Sequence, residues 1–266
     1  MRTLARAVQH PGAVGTKLRL PWYNVNRQVT LSTKELVMVA GAPGGGKSTF
    51  LLNLVMQTEY PTLYLAQDSA PSVLARLSAL GAGITTDRAR DLMSTEGGRE
   101  ELGRTLTDVR PSLVVQDGAM TFEDIEQRVD ALREWVGEAP PLVVLDNLID
   151  TIVPGHQASD VGFYATIIPK LKQLAIAKDF AMIVLHHVVR RTETGKSAGM
   201  GTVGLRMPDL LYAGEREARH VWGIYNDGGH RMVMQILKQQ DGPADPMGNM
   251  RVDLNWIPEM GKLSSR

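Results

Sequence analysis

The stretch LVMVAGAPGGGKSTFLLNLVM, residues 36–56, decides the fold of this chain. It joins a short apolar run to a helical pattern through Gly41–Ser48, which fits G-x-x-x-x-G-K-[ST]. Glycines let backbone N–H groups turn inward around phosphates, and the N-terminus of the following helix adds partial positive charge. Because both flanks are as the motif requires, the segment indicates a phosphate-binding loop rather than a chance glycine-rich turn.

The loop assigns roles to its polar residues. Lys47 is expected to reach the β and γ phosphates of ATP, and the hydroxyl of Ser48 is expected to hold Mg²⁺. The predicted nucleotide-binding residues are Gly41, Ala42, Pro43, Gly44, Gly45, Gly46, Lys47, Ser48 and Thr49.

Outward from this loop, apolar runs alternate with longer helical patterns, which is typical of a parallel sheet with crossover helices. The predicted buried strands are Leu36–Ala40, Thr62–Ala66, Leu113–Gln116, Leu142–Leu145 and Ala181–Leu185. The predicted helices are Lys47–Gln57, Ser72–Leu80, Phe122–Trp135 and Phe163–Lys178. Val221–Tyr225 and Met232–Leu237, joined by a turn at residues 226–229, indicate an antiparallel hairpin that closes the sheet. We therefore predict an α/β fold with a mostly parallel central sheet flanked by helices.

Composition limits the alternatives. The 266 residues are 43% hydrophobic, enough for one sizeable core, and we predict an arm at 1–33, a domain at 34–258 and a tail at 259–266. Lys plus Arg and Asp plus Glu both number 29, so no bulk positive field indicates nucleic acid. There is no cysteine, which excludes disulfides and thiolate metal sites. No apolar run suits a signal peptide or a membrane span, so we expect a cytoplasmic protein without a membrane partner.

Two acidic residues follow predicted strands. Asp146 ends the run Leu142–Leu145, in the form of a Walker B strand, and is expected to hold Mg²⁺ through water. Asp68 follows Thr62–Ala66 and should lie beside Asp146, where a carboxylate can orient the attacking water or take its proton. Each has a simpler interpretation, since Asp146 could cap the next loop and Asp68 could be a helix N-cap.

Two histidines, His186 and His187, end the next predicted strand along the same edge. Adjacent strand residues point to opposite faces, so we do not expect the pair to chelate one metal. A polar side chain here can hydrogen-bond the γ-phosphate and report its loss to the following loop, and we assign this sensor role to His187. Plain packing is the alternative.

The order of these motifs along the chain resembles that of the C-terminal motor domain of DnaB-type replicative helicases, within the wider RecA and KaiC group. The resemblance spans residues 35–256 and is carried by GAPGGGKSTFLLNLV, TLYLAQDSAPSVLARLSAL, TFEDIEQRVDALREW, LVVLDNLIDTI, FAMIVLHHVVRR and ILKQQDGP. It implies a RecA-like P-loop fold. It also places the family's catalytic glutamate on Asp68, its Walker B aspartate on Asp146, its sensor glutamine on His187, and on Lys238 the lysine finger that reaches a neighbouring subunit's nucleotide.

The sequence departs from the family pattern at two of these positions. Asp68 is one methylene shorter than glutamate, so the attacking water would be held less well. The arginine-finger position of the pattern K-x-R-x-G is Gln240, which carries no charge. Arginine fingers contribute about 10³–10⁵ in rate, so either another arginine substitutes or the enzyme is slow.

Two long loops are predicted at the same sheet edge, at residues 150–161 and 189–212. Structureless segments of this length in compact domains are usually functional. The second loop carries basic residues among glycines and hydroxyl residues, which suits contacts with a strand backbone and little base readout. The predicted nucleic-acid-binding residues are Arg190, Arg191, Lys196 and Arg206. The alternative is a solvated mobile loop with ordinary surface charge.

These observations favour a ring-forming, hexameric ATPase that moves on single-stranded DNA as a helicase, in replication or recombination, with contacts to itself and to replication proteins. One alternative is a RecA- or KaiC-like DNA-binding ATPase that does not unwind. Another is a weakly hydrolysing, nucleotide-gated loading protein, which Asp68 and Gln240 would suit.

Overall fold

The computed structural model describes residues 15–66, 70–137, 141–158, 160–188, 204–210 and 215–266. In these ranges the strands are β1 Lys17–Leu18, β2 Leu31–Ser32, β3 Leu36–Gly41, β4 Thr62–Ala66, β5 Leu113–Asp117, β6 Leu142–Asp146, β7 Ala181–His187, β8 His220–Asn226, β9 Arg231–Gln239, β10 Arg251–Ile257 and β11 Lys262–Ser265. The helices are α1 Tyr23–Asn26, α2 Lys47–Gln57, α3 Ala70–Ala82, α4 Thr86–Met93, α5 Glu96–Val109, α6 Phe122–Val136 and α7 Val161–Lys178.

A sheet of nine strands among the described residues organises the molecule, in the order β11-β10-β9-β8-β3-β7-β6-β4-β5. Strands β3 to β8 pair in parallel, and β8, β9, β10 and β11 pair antiparallel. This arrangement confirms the predicted α/β class, the mostly parallel sheet and the β8–β9 hairpin. The hairpin does not close the sheet, because β10 and β11 continue it beyond β9.

Helices cover both faces of the sheet, so the central strands are buried on both sides. One apolar core joins the sheet to α2 and α3, and the other joins it to α6 and α7. Helix α6 begins with a capping box in which Thr121 and Asp124 satisfy each other's backbone N–H groups. Among the described residues, no helix has both the length and the apolar character needed to cross a bilayer.

Residues 15–33 differ from the irregular arm predicted for the N-terminus. They form β1, α1 and β2, and their apolar side chains enter the core: Leu18, Leu20, Trp22, Val25, Val29 and Leu31. The Trp22 ring lies 5.0 Å from that of Phe50 on α2. Pro21 interrupts any regular apolar period here, so tertiary packing rather than local pattern orders the segment. Residues 262–265 likewise form β11 where a tail was predicted, while the overall domain limits stay a prediction.

Helices α4 and α5 were not predicted, because few apolar residues mark the stretch between Leu80 and Leu113. Both begin at threonine N-caps, with Thr85 accepting from the backbone of Arg88 and Thr95 from that of Gly98. Such caps satisfy otherwise orphaned donors. These two threonines were therefore the sequence signal from which the starts of α4 and α5 could have been predicted.

Candidate nucleotide site

The phosphate loop connects β3 to α2 and is shaped by two glycines. Gly46 has φ 91°, a left-handed conformation that strongly favours glycine. A Cβ on Gly41 would lie 2.6 Å from the carbonyl oxygen of Ile224, so only glycine fits against β8. The loop therefore has the open backbone that phosphate binding requires.

The ammonium group of Lys47 is folded back onto this loop. Its Nζ donates to the carbonyl oxygens of Gly41, at 2.8 Å, and Ala42, at 3.0 Å. Burial lowers the pKa of Lys47 to about 8, although the nearby Asp146 carboxylate acts to raise it. Two neutral acceptors are a weak substitute for an anion, so the group is placed to exchange them for phosphate oxygens.

Asp146 lies at the carboxyl end of β6, level with Ala66 at the end of the neighbouring strand β4. Its carboxylate is buried and accepts hydrogen bonds from the side chains of Ser48 and Tyr64. Burial raises the pKa of Asp146, and these two hydrogen bonds act against that rise. Ser48 was predicted from the phosphate loop and Asp146 from the Walker B strand. The fold thus brings these two residues into direct contact.

The oxygens of Ser48 and Asp146 fit Mg²⁺, which is usually held by one or two protein oxygens together with substrate phosphates and water. In keeping with this, no group of three His, Asp or Glu side chains in the described ranges is placed to bind a metal without such help. Ser48 and Asp146 are therefore the residues that would hold the ion.

Tyr64 is a site residue that the sequence did not reveal. It is fully buried on β4, and its hydroxyl donates to Oδ2 of Asp146. Burial raises the pKa of Tyr64 well above its usual value, and the Asp146 carboxylate adds to the rise, so the phenol stays a donor. It therefore fixes the orientation of the carboxylate.

Tyr64→Phe is expected to raise the Mg²⁺ concentration needed for half-maximal nucleotide binding about tenfold, because the carboxylate loses its orienting donor. The measurement is a Mg²⁺ titration of nucleotide binding. Tyr60→Phe, just before the same strand, removes a hydroxyl that accepts from the backbone of Arg19 and is the control. An unchanged Mg²⁺ requirement in Tyr64→Phe would contradict the assigned role.

The two histidines occupy different environments. His187 pairs in register with Gly41 across β3 and β7. Burial lowers the pKa of His187, and the charge of Lys47 lowers it further, while Asp150 and Asp146 oppose the shift. His186 is buried, with its ring edge-on to that of Tyr164 at 5.3 Å. His187 is thus the one beside the phosphate loop, as the sensor hypothesis requires, although its role stays a prediction.

The hairpin between β8 and β9 contacts the phosphate loop, which the sequence did not indicate. The Asn226 side chain donates to the carbonyl oxygen of Gly44 at 3.0 Å. A Cβ on Gly46 would lie 2.5 Å from Cε of Met232. The hairpin therefore supports the loop from the side opposite Asp146.

Lys238 lies on β9, and its Nζ donates to the carbonyl oxygens of Glu215, at 2.8 Å, and Arg216, at 3.3 Å. Burial lowers the pKa of Lys238, with Glu215 acting in the opposite direction. Gln240 follows in an exposed turn. Within one chain the amine is therefore held by backbone oxygens, and its predicted action on a neighbouring subunit stays a prediction.

Several predicted site residues fall outside the described ranges, namely Asp68, Arg190, Arg191 and Lys196. Arg206 is described and lies at the base of the second loop, half-buried. The backbone of its neighbour Leu205 exchanges hydrogen bonds with the Gln235 side chain on β9. The end of this loop is therefore attached to the sheet.

The family and sequence comparisons cover most of the chain. A family model described as AAA domain matches residues 19–193. The Gene 65 protein of Mycobacterium phage D29 is 24% identical over 236 residues, covering 86% of this chain and 98% of the relative. The Gene 65 protein of Mycobacterium phage L5 is 23% identical over 272 residues, covering 99% and 98%. A probable replicative DNA helicase of Guillardia theta is 26% identical over 174 residues, covering 62% of this chain and 28% of that protein.

Solved structures share the fold. An ATPase domain of known structure superposes with a TM-score of 0.72 at 18% identity, covering 88% of this chain and 86% of that one. A DnaB-like replicative helicase, solved in a study of its interactions with primase, gives a TM-score of 0.78 at 16% identity, covering 100% and 67%. The RecA-like helicase-domain fold predicted from the motifs is confirmed.

Proposed function

This chain is an ATPase domain that belongs to the AAA domain family, and from that premise we propose that it forms a ring, translocates on single-stranded DNA and acts as a helicase in replication or recombination. The observation that carries the proposal is the meeting of Lys47, Ser48, Asp146 and His187 at one edge of a sheet with the DnaB-like fold. The name of the Guillardia theta relative supports it.

The proposed chemistry uses these residues in turn. Lys47 releases the two loop carbonyl groups and binds the β and γ phosphates of ATP. Ser48 and Asp146 would hold Mg²⁺, which would supply positive charge to neutralise the phosphates. Asp68 orients the attacking water, and His187 donates to the γ-phosphate. The second loop begins just after β7, which ends at His187. Loss of the γ-phosphate would therefore change the contacts of His187 and, through it, the position of this loop.

The proposed partners follow from the same assignments. Lys238 would complete the nucleotide site of a second copy of this chain, so assembly into a ring, which we take to be hexameric, would be part of catalysis. Single-stranded DNA would run past the second loop, and replication proteins would bind outside the ring. We place the protein in the cytoplasm.

Neutralising the four predicted DNA-binding residues together is expected to weaken single-stranded DNA binding and flatten its salt dependence. These are Arg190, Arg191, Lys196 and Arg206. Each lost phosphate contact should reduce the log–log salt slope by about 0.7. The measurement is binding of a labelled single strand at several salt concentrations, with ATP turnover measured in parallel and expected to persist without DNA.

The matched control removes four exposed basic side chains elsewhere. Suitable positions are Arg88, Arg99, Arg104 and Lys262. This control keeps the same net charge as the loop variant, so it separates bulk charge from local contact. If both variants bind DNA as the original chain does, the strand runs elsewhere and the loop assignment is wrong.

A nucleotide-gated loading protein is the second candidate, and Gln240 is the observation that favours it. Gln240 presents an exposed, uncharged amide at the position where the family resemblance implies an arginine finger. In addition, the Lys238 amine donates a hydrogen bond to the carbonyl oxygen of Glu215 in its own chain. The loader would bind ATP with little turnover even on DNA. Strand displacement driven by ATP would decide for the helicase, and DNA-stimulated turnover without displacement would favour a RecA- or KaiC-like ATPase.

A further inference from the structure

Arg76 has no role in the motifs, yet its side chain reaches the phosphate loop. It lies in α3, whose neighbouring residues Ala75 and Leu77 are buried. Its Nη2 donates to Oγ1 of Thr49, the residue that follows Ser48 at the start of α2. A guanidinium group therefore stands against the N-terminus of the helix that the phosphate loop opens.

The described residues around Arg76 balance its charge only in part. Burial lowers the pKa of Arg76, the charge of Arg90 lowers it further, and Tyr64 and Asp146 act to raise it. The acid among these groups, Asp146, already accepts from Tyr64 and Ser48. Because an arginine side chain remains protonated, the site keeps a partly desolvated cation whose direct partner, within the described ranges, is a neutral hydroxyl.

A buried arginine, Arg110, shows what a purely structural role looks like in this chain. Arg110 uses its donors on the carbonyl oxygens of Val55 and Tyr60 and on the hydroxyls of Ser112 and Thr62. A guanidinium has five N–H donors, and Arg110 uses most of them in hydrogen bonds within the chain. In the part of the chain that the structure describes, the bond to Thr49 is the one hydrogen bond that Arg76 makes.

We propose that Arg76 binds the phosphate chain of the nucleotide from within the same chain, on the Thr49 side of the loop. This inference rests on the proposed function, since it deepens the same site. The Thr49 hydroxyl holds the guanidinium beside the loop, and phosphate oxygens accept from its remaining donors when nucleotide binds. Such charge-assisted bonds are about twice as strong as neutral ones, and the planar fork of arginine suits phosphate.

The test compares Arg76→Met with the original chain, using Mg²⁺–ADP carrying a fluorescent label and measuring its dissociation constant. Methionine keeps the apolar stem and removes a half-buried charge, a change that is often neutral for stability. We expect about 10- to 100-fold weaker ADP binding, with the melting temperature measured without nucleotide unchanged. Arg76→Lys, which restores the charge without the fork, should recover part of the affinity.

The control is Arg90→Gln. Arg90 is exposed, forms an ion pair with Asp87 and lies close enough to Arg76 for its charge to lower the pKa of Arg76. Arg90→Gln removes one positive charge near Arg76 and leaves the hydrogen bond to Thr49 in place. ADP affinity should therefore stay within about twofold, because exposed charges contribute little. A loss equal to that of Arg76→Met would reduce the effect to general electrostatics and overturn the proposal.

Competition by inorganic pyrophosphate identifies what Arg76 contacts. Arg76→Met should weaken pyrophosphate competition by the same factor as ADP binding, and unchanged competition would overturn the phosphate assignment. If Arg76→Met lowers the melting temperature, Arg76→Lys decides: recovered stability with no recovery of ADP affinity would overturn the proposal. Should the original chain not bind Mg²⁺–ADP at all, the proposed function itself fails, whereas normal binding by both chains refutes the Arg76 inference alone.

Discussion

Lys47→Ala is expected to abolish ATP turnover, with a loss of at least about 10²–10³ in rate, typical of removing one preorganised donor from a charge-stabilising site. Its amine contacts the loop itself, bonded to the carbonyl oxygens of Gly41 and Ala42. Alanine also removes a buried ammonium whose pKa burial lowers to about 8, so the fold should not suffer. The measurement is phosphate release at saturating Mg²⁺–ATP.

The comparison for this variant is Lys262→Ala, an exposed lysine on β11 that should keep full turnover. Both variants should melt at the temperature of the original chain. A well-folded Lys47→Ala protein that hydrolyses ATP at the original rate would show that Gly41–Ser48 is not the catalytic phosphate loop, whatever its shape.

The sequence predicted the centre of the molecule well because two strong local signals coincide there. Buried parallel strands have to be apolar along their whole length, and the phosphate loop needs glycine where the backbone is left-handed, as at Gly46. Parallel strands also end at a common edge, so the sequence alone was enough to place Asp146 and His187 beside the loop. These features depend on local chemistry and simple topology.

Features that depend on long-range packing were missed. Trp22 and Val25 lie in the core that also contains Phe50, and the ring of Trp22 packs beside that of Phe50. Strand β10 carried a readable signal, since Val252 and Leu254 alternate with more exposed residues, but it follows a hairpin that looked like an end of the sheet.

Tyr64 and Arg76 belong to a third kind of omission. In sequence, a tyrosine within a strand and an arginine within a helix both look like ordinary residues. Their roles arise because β4 lies beside β6 and α3 packs against α2, which brings a phenol to Asp146 and a guanidinium to Thr49. No spacing rule connects these positions, so only the fold could reveal them.

Lys238→Ala is expected to bind nucleotide nearly normally and to hydrolyse it poorly, if its amine completes a neighbouring subunit's site. It pairs with Val221 on β8, which is level with Met38 of β3 and not with the carboxyl end of β3 where the phosphate loop begins, so it does not belong to the site of its own chain. The competing explanation is local: its bonds to the carbonyl oxygens of Glu215 and Arg216 could simply hold that segment in place. Nucleotide affinity and turnover are measured on the same preparation.

Mixing separates the two explanations, because Lys47→Ala and Lys238→Ala then damage different sides of a shared site. In a mixed ring, some boundaries pair an intact phosphate loop with an intact Lys238, so turnover should partly return. A local role predicts that both mutants stay inactive in rings shown to be mixed. Lys238→Arg keeps the charge and is the matched variant, expected to retain more turnover than alanine.

Protein concentration gives an independent test of the same claim. A nucleotide site completed by a second copy has to lose specific activity as dilution separates the copies, whereas a site contained in one chain does not. Turnover per chain that stays constant across the assembly range would therefore contradict the intersubunit role. Since Gln240 supplies no charge, the amine of Lys238 would be the main cation brought by the neighbour, and its removal should cost more than in a ring that also had an arginine at that position. We expect recovery on mixing and a fall in specific activity on dilution.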